Sequence, residues 1–158
     1  MSIYTDIYQN VEFPLICTRG IIVFPNQEIV FDVGRSASIA AITAAKNLHD
    51  SFVVLLSQKD IMVEAVSVDN MYNFGSLCHI EFIRKEKDLY KVKVKSLARA
   101  NINSITFDGS MYLANISVVD SYVTDKEEES IEVKNVIKEC QMIFSELPNL
   151  PKDLFSQL

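Results

Sequence analysis

Short runs of apolar residues, separated by polar turns, occupy the first three quarters of the chain, a pattern typical of β-strands. The most informative stretch is Phe13–Ile39, in which Pro25 and a polar triplet separate two apolar runs. Pro25 has no N–H to donate to a sheet, so we expect it to end the first strand or to lie on an edge. Residues alternate in Glu28–Val33, which predicts a second strand with Val30 on the outward face.

A helix and a buried strand are predicted next. Gly34 can break the second strand, and Ser36 can cap a helix over Ser36–Leu48. Phe52–Leu56 is a continuous apolar run, which indicates a strand buried on both faces. The apolar positions recur on one face of the helix: Ile39, Ile42, Ala45 and Leu48.

The stretch Gln58–Phe74 has a weak pattern and predicts a long connection, a feature that is often functional in compact domains. Gly75 then begins a strand, Arg84–Asp88 forms a hairpin turn, and a second strand returns. The first of these strands is predicted to carry Cys78, Ile80 and Phe82 on one face. The return strand is predicted to carry Tyr90, Val92 and Val94 inward, with Lys91, Lys93 and Lys95 outward.

The pattern changes character near residue 124. Ser96–Ile105 predicts a bulged or bent strand, Asp108-Gly109 a tight turn, and Met111–Val123 a last long strand. An acidic helix start follows. Its apolar stripe is Val133, Val136, Ile137, Cys140, Ile143, Phe144 and Leu147. We therefore predict an α+β chain with two parts: a β-rich lobe of about six strands over 1–123, and a long amphipathic helix that begins a truncated helical lobe over 124–158.

Two blocks of motifs share their order and spacing with a known family. The first block is Pro14-Leu15, Arg19, Ile21–Phe24 with Pro25, Val33-Gly34-Arg35 and Ser38. The second block is Gly75, Tyr90–Val94, Leu97, Arg99 and Ile102. Together they resemble the N-terminal domain of the Lon family of ATP-dependent serine proteases.

This resemblance implies a PUA-like curled β-sheet or pseudo-barrel that recognises substrates and assists assembly. The parent enzyme would be a homohexameric endopeptidase of protein quality control that degrades misfolded, abnormal and short-lived regulatory proteins. Its Ser-Lys dyad, its ATP-binding loop and the Mg that accompanies ATP would lie in regions absent from this sequence. We therefore expect the chain itself to bind unfolded or tagged polypeptide, and to hold no catalytic group, cofactor or metal.

Net charge and the positions of cysteine and histidine make some classes of function less expected. The net charge is −6 at pH 7, which disfavours nucleic acid and anionic membrane as main partners. The cysteines Cys17, Cys78 and Cys140 are odd in number and far apart, which indicates reduced, mostly buried thiols and a cytoplasmic protein. His49 and His79 have no further ligands at metal-binding spacing.

A binding patch is the candidate site. Met and aromatic side chains on a surface can adapt to many unfolded partners. The candidate residues are Phe24, Pro25, Val30, Met71 and Tyr72. Residue statistics favour core burial for Phe24 and Tyr72 taken singly, and low exposure of Val30, Met71 or Tyr72 would count against the patch.

A stand-alone PUA-like module, with Leu158 near its natural end, is the alternative. Its RNA site would be the basic face of Lys91, Lys93 and Lys95. We favour instead an edge strand that its lysines keep unpaired, because no aromatic residues for base stacking are interleaved there.

Overall fold

The computed structural model describes residues 7–119, 133–140 and 142, and the chain separates into two compact units, Met1–Asp120 and Ser121–Leu158. In the first unit the described residues form strands, one α-helix and a short 3-10 helix at Val68–Asn70. The strands are β1 (Gln9–Thr18), β2 (Glu28–Val33), β3 (Phe52–Ser57), β4 (Phe74–Glu86), β5 (Leu89–Phe107) and β6 (Tyr112–Val119), and the helix is α1 (Ser36–Leu48). The predicted boundary between 123 and 124 stays a prediction.

The strands form one sheet that closes on itself. Its order is β2-β5-β4-β3-β1-β6, and β6 also pairs with β5. The pairing of β1 with β3 is parallel, and the other pairings are antiparallel. Because β5 is 19 residues long, its first part pairs with β2 and its second part with β6. This architecture confirms the predicted curled sheet of about six strands with one helix.

Two hydrophobic cores lie on opposite faces of the sheet. One packs between α1 and the sheet and includes Ala41, Ile42 and Ala45 of the helix. The other fills the closed part of the sheet and includes Ile116 of β6. Strand β3 supplies both cores: Val53 and Leu55 belong to the first, Val54 and Leu56 to the second. The prediction of a strand buried on both faces is confirmed.

Two β-bulges decide which face several side chains occupy. Leu77 pairs with Ala98 but Cys78 pairs with Ser96, so Leu97 is an extra residue in β5. A bulge reverses the faces of the residues that follow it. Val94 therefore lies in the core under α1, whereas Ala98 and Ala100 lie in the other core.

The second bulge corrects the sequence pattern of β4. Ile80 pairs with Val94 and Phe82 with Lys93, so Glu81 is the extra residue. Phe82 is turned outward and is 45% exposed. The prediction that Phe82 shares a face with Cys78 and Ile80 is wrong, because period-2 alternation does not continue through a bulge.

Three further predictions about local structure are wrong. Ile21–Phe24 forms no strand, because β1 ends at Thr18 and the chain turns at Gly20, whose φ is +68°. Arg35 occupies the N-cap position of α1 and no side-chain cap is made there, so Ser36 is not the cap. Leu48 is 77% exposed at the end of the helix.

The remaining patterns are confirmed within the described residues. Strand β2 exposes Val30 and buries Phe31 and Val33. The hairpin turn lies at residues 87–88, and the long connection between β3 and β4 is present. The apolar stripe of the second unit falls on helical residues at Val133, Val136, Ile137 and Cys140, whereas Ile143, Phe144 and Leu147 lie outside the described residues, as do residues 120–123 of the predicted last strand. No helix in the described part of the chain is long and apolar enough to cross a membrane.

Candidate functional site

Three chain segments meet around an open apolar cavity of about 280 Å³. They are the loop Ile21–Phe24, the end of β3, and residues 72–76, which lead into β4; Arg99 of β5 completes the wall. The volume lies just below the roughly 300–1,000 Å³ of pockets that enclose a whole small molecule. The cavity is therefore suited to a single large side chain.

The rim of this cavity is apolar and exposed. Ile22 is 66% exposed, Phe24 59%, Phe74 54% and Tyr72 46%. We call these four side chains the apolar rim. Scattered apolar residues are normal on a protein surface, but a contiguous group around a cavity marks an interaction site.

Hydrogen bonds fix the loop that supplies Ile22 and Phe24. Thr18 Oγ1 donates to the Ile21 carbonyl at 3.0 Å, and Ser76 Oγ donates to the Val23 carbonyl at 2.5 Å. Val23 is buried in the core under α1, while its two neighbours are exposed. The loop is thus anchored at Val23 and presents Ile22 and Phe24 to solvent.

The opposite wall is held by backbone contacts. The Tyr72 N–H donates to the Ser57 carbonyl at 3.2 Å. Gly75 forms part of the cavity floor, where a Cβ would lie 2.5 Å from the Leu55 carbonyl oxygen. Only glycine permits this close approach of two strands, so Gly75 lets β4 and β3 meet beneath the rim.

Among the described residues that line the cavity, Arg99 is the one that is charged. Its guanidinium carbon lies 5.8 Å from the centroid of the Phe74 ring, a cation–π contact. Within the described residues Arg99 makes no salt bridge. The cavity therefore combines apolar walls with one cation that has no carboxylate partner among the described residues.

The structure brings together part of the predicted patch. Phe24 and Tyr72 line the same cavity, and the interpretation of each as a core residue is wrong because both are exposed. Pro25 adjoins Phe24 and is half-buried. Val30 is 52% exposed but lies on β2, away from the cavity lining. Met71 is 2% exposed in the barrel core, so its inclusion in a surface patch is wrong.

Sequence patterns missed Ile22, Phe74 and Arg99. Ile22 lay inside an apolar run that predicted a strand, and Phe74 at the end of the long connection. The position of Phe74 beside Gly75 was the available signal, because a glycine at a strand start often marks a close backbone approach.

The basic face is not an edge. Strand β5 lies between β2 and β4, so the interpretation of an unpaired edge strand is wrong. Lys93 Nζ lies 2.7 Å from Glu28 Oε2 and 2.6 Å from Glu81 Oε2, and Lys91 Nζ lies 3.5 Å from Glu86 Oε2. Hydrogen bonding to Glu28 and Glu81 raises the pKa of Lys93. These pairings give no support to an RNA site.

Two of the cysteines are buried, and both histidines contact aromatic rings. Cys17 and Cys78 are free and buried, as predicted. Burial raises the pKa of the Cys78 thiol to about 12. His49 makes an edge-to-face contact with Phe13, and His79 makes one with Phe52, with ring centroids 6.2 and 5.6 Å apart. Across the described ranges no three His, Cys, Asp or Glu side chains converge as metal ligands would.

Residues 12–157 match the family model of the ATP-dependent protease La (LON) substrate-binding domain. The chain belongs to this family. The LON family assignment agrees with full-length relatives: the chain is 33% identical to the Lon protease of Acinetobacter baumannii over 141 residues, and 24% identical to that of Escherichia coli K12 over 151 residues.

These matches cover 87% and 95% of the chain but only 16% and 19% of the two relatives. The chain therefore spans less than a fifth of the length of the Lon proteases it resembles. Two solved structures share the LON-domain fold. They are the N-terminal domain of Mycobacterium avium complex Lon protease (TM-score 0.64, 16% identity, 85% of this chain and 70% of that one) and a Lon N-terminal domain protein from Xanthomonas campestris (TM-score 0.58, 11% identity, 92% and 88%).

Proposed function

We propose that the chain recognises protein substrates by taking large apolar side chains of unfolded or tagged polypeptides into the cavity beneath the apolar rim. One observation carries this proposal: four exposed apolar side chains surround a single open cavity of about 280 Å³. A folded protein has its large apolar side chains mostly inside, whereas an unfolded one displays them. A one-residue apolar pocket therefore favours unfolded chains without requiring a particular sequence.

The chain would act as the N-terminal part of a longer ATP-dependent serine endopeptidase of the cytoplasm. The family assignment and the small share of the Lon relatives that the chain spans support this placement. The Ser-Lys dyad and the ATP and Mg sites would belong to the remainder of that protein. The present domain would bind and present substrates rather than cleave them.

Assembly would compensate for weak binding at each site. In a homohexamer the ATPase ring would hold six copies of the cavity close together. Linking sites raises the effective concentration for the second contact, and avidity then exceeds the single-site affinity by roughly 10²–10⁴-fold. Substrates with several exposed apolar residues would be retained, and substrates with one would be released.

The test is binding of the 158-residue chain to one fluorescent reporter protein in two forms. The native form is compared with a form kept unfolded by reduction and blocking with iodoacetamide, which adds no charge. We expect fluorescence anisotropy to show tighter binding of the unfolded form. A Phe24→Ala/Tyr72→Ala double variant should weaken that binding several-fold, because half of the apolar rim is removed.

Leu48→Ala is the matched control, since Leu48 is more exposed than any rim residue but lies at the end of α1, outside the cavity lining. It should leave binding unchanged. Equal binding of native and unfolded reporter, or equal loss in both variants, would refute the proposal.

A further inference from the structure

We propose that the cavity selects extended segments in which a large apolar residue is followed two positions later by Asp or Glu, with the carboxylate held by Arg99. This inference rests on the proposed function and adds to it a preference for an acidic residue. The apolar residue would enter the cavity beneath the apolar rim, and the acidic side chain would meet the guanidinium at its wall.

Charge complementarity points to an acidic ligand group. The chain as a whole carries a net charge of −6, yet the described residues that line the cavity include one cation and no carboxylate. Several other cations of the sheet are paired with carboxylates: Lys93 contacts Glu28 and Glu81, and Arg84 contacts Glu86. Arg99 lacks such a pair among the described residues, so its charge remains available to a bound segment.

The contact with Phe74 positions the Arg99 guanidinium to bind a carboxylate. A guanidinium stacked on a ring keeps its N–H donors around its edge, and two of them match the two oxygens of a carboxylate. Packing against the ring also limits the rotamers that the long side chain must give up on binding. Lysine at this position would offer a point charge without the planar pair of donors.

The spacing of the two subsites fits an extended chain. Arg99 lines the same cavity as the apolar rim, so a carboxylate that it holds must belong to a near neighbour of the residue seated in the cavity. In an extended segment, side chains at positions i and i+2 lie on the same side, roughly 6.6 Å apart. The residue between them points away. An acidic residue at i+1 would therefore miss Arg99.

An internal segment is favoured over a chain terminus because the cavity is flanked by apolar side chains on both sides. Ile22 and Phe24 lie on one segment of the wall, and Tyr72 and Phe74 on the other. Beyond the loop, Ile61 comes close to Gly20: a Cβ added there would lie 3.8 Å from Ile61 Cγ2. A bound chain can thus continue across the surface in either direction.

The experiment uses short peptides that are acetylated and amidated, so that a side chain supplies their only carboxylate. Each carries one Phe in a Ser/Thr background, with Glu at i+2, Gln at i+2, or Glu at i+1. We expect the chain to bind the i+2 Glu peptide roughly two- to fivefold more tightly than the other two. The preference should shrink as salt is added, because the pair is exposed.

Arg99→Gln should abolish the preference, measured as the ratio of the affinities for the Glu and Gln peptides within that variant, and Arg99→Lys should retain part of the preference. Lys95→Gln is the matched control, because it removes one exposed cation from β5 outside the cavity lining. If Arg99→Gln folds poorly, the Arg99→Lys result and the salt dependence of the wild-type chain decide in its place.

Equal affinity for the Glu and Gln peptides would overturn the inference, as would a preference that survives in Arg99→Gln. So would tighter binding of a Gln peptide that has a free terminal carboxylate, which would assign the site to chain ends. Loss of Glu preference with binding that still depends on Phe24 and Tyr72 would leave the proposed function intact. Absence of binding by all of the peptides and by the unfolded reporter would instead refute the proposed function.

Discussion

Arg35 Nη1 donates a hydrogen bond to Oε1 of Gln58 at 3.1 Å, and this contact joins the start of α1 to the end of β3. Gln58 is 1% exposed, and its Nε2 donates to the Val63 carbonyl at 3.2 Å. Its backbone N–H donates to the Thr18 carbonyl at 2.9 Å. A single buried amide therefore holds the first part of the connection whose far end supplies Tyr72 to the cavity.

Replacing Gln58 with Ala should lower the free energy of unfolding by about 1–3 kcal/mol, since the substitution leaves a buried donor without an acceptor. Within the described ranges Arg35 Nη2 is already buried without a hydrogen-bond partner, so loss of the Gln58 acceptor would leave two guanidinium nitrogens unpaired there. Urea unfolding at pH 7 measures the effect. Asn47→Ala, at an exposed position of α1, should change stability by less than about 0.5 kcal/mol. Equal stability of the two variants would contradict this role.

Gly75→Ala should also be costly. The added Cβ would lie 2.5 Å from the Leu55 carbonyl oxygen and 3.2 Å from Leu56 Cδ1. Overpacking of this kind costs about 1–3 kcal/mol, because backbone atoms must shift. We expect a lower urea midpoint together with weaker binding of the unfolded reporter, since the strands beneath the cavity would separate.

The control is Ser104→Ala, an exposed position of β5 that should leave both measurements unchanged. A Gly75→Ala variant with wild-type stability would show that β3 and β4 can move apart without cost.

The elements that followed a simple period could be predicted. The alternation of Glu28–Val33 placed Val30 and Phe31 on the correct faces, and the continuous run Phe52–Leu56 identified a strand that serves two cores. Both patterns depend only on which positions are buried, and the order of apolar and polar residues in the sequence shows these positions. The curled sheet and the LON family were inferred differently, from a resemblance in the order and spacing of motifs, although identity to the Lon relatives is only 24–33%.

The errors arose where tertiary contacts override a local pattern. Ile21–Phe24 has the composition of a strand, but Val23 instead anchors a loop through its carbonyl and its buried side chain. Met71 lies in a polar stretch yet is drawn into the core beside the bridge to Gln58. Arg99 could not be assigned to the cavity, because the predicted hairpin reveals neither the bulge at Leu97 that sets its face nor the loop Ile21–Phe24 that packs beside it.

The pKa of Glu28 provides a pH test of the outer face. The hydrogen bond and charge of Lys93 hold the pKa of this carboxyl below its ordinary value. A carboxyl with a lowered pKa in the folded state stabilises the fold at neutral pH, and this contribution is lost as pH falls through the folded pKa. Because Glu28 is exposed, the contribution to stability is small and the titration itself is the better measurement.

In Lys93→Met the pKa of Glu28 should rise toward its ordinary value, as followed by NMR of the side-chain carboxyl carbon. Lys46→Met, which removes a cation from α1, should not move it. A Glu28 titration that is the same in wild type and Lys93→Met would show that the pair is not formed in solution.

The buried thiols report on the opening of the sheet. Burial raises the pKa of Cys78 to about 12, and its residue is 0% exposed on β4 between β3 and β5. While the sheet is closed, a pKa raised this far leaves almost no thiolate at Cys78 at pH 8. Alkylation of Cys78 by iodoacetamide in the native chain should therefore be limited by the rate at which the strands open rather than by the reactivity of the thiol.

Cys17 is 7% exposed, and the neighbouring Arg35 partly opposes the rise in its pKa, so it should react before Cys78. Peptide mass mapping during a time course, with the chain in urea as the fully reactive reference, measures both rates. Labelling of Cys78 as fast in buffer as in urea would mean that β4 does not stay paired on both sides.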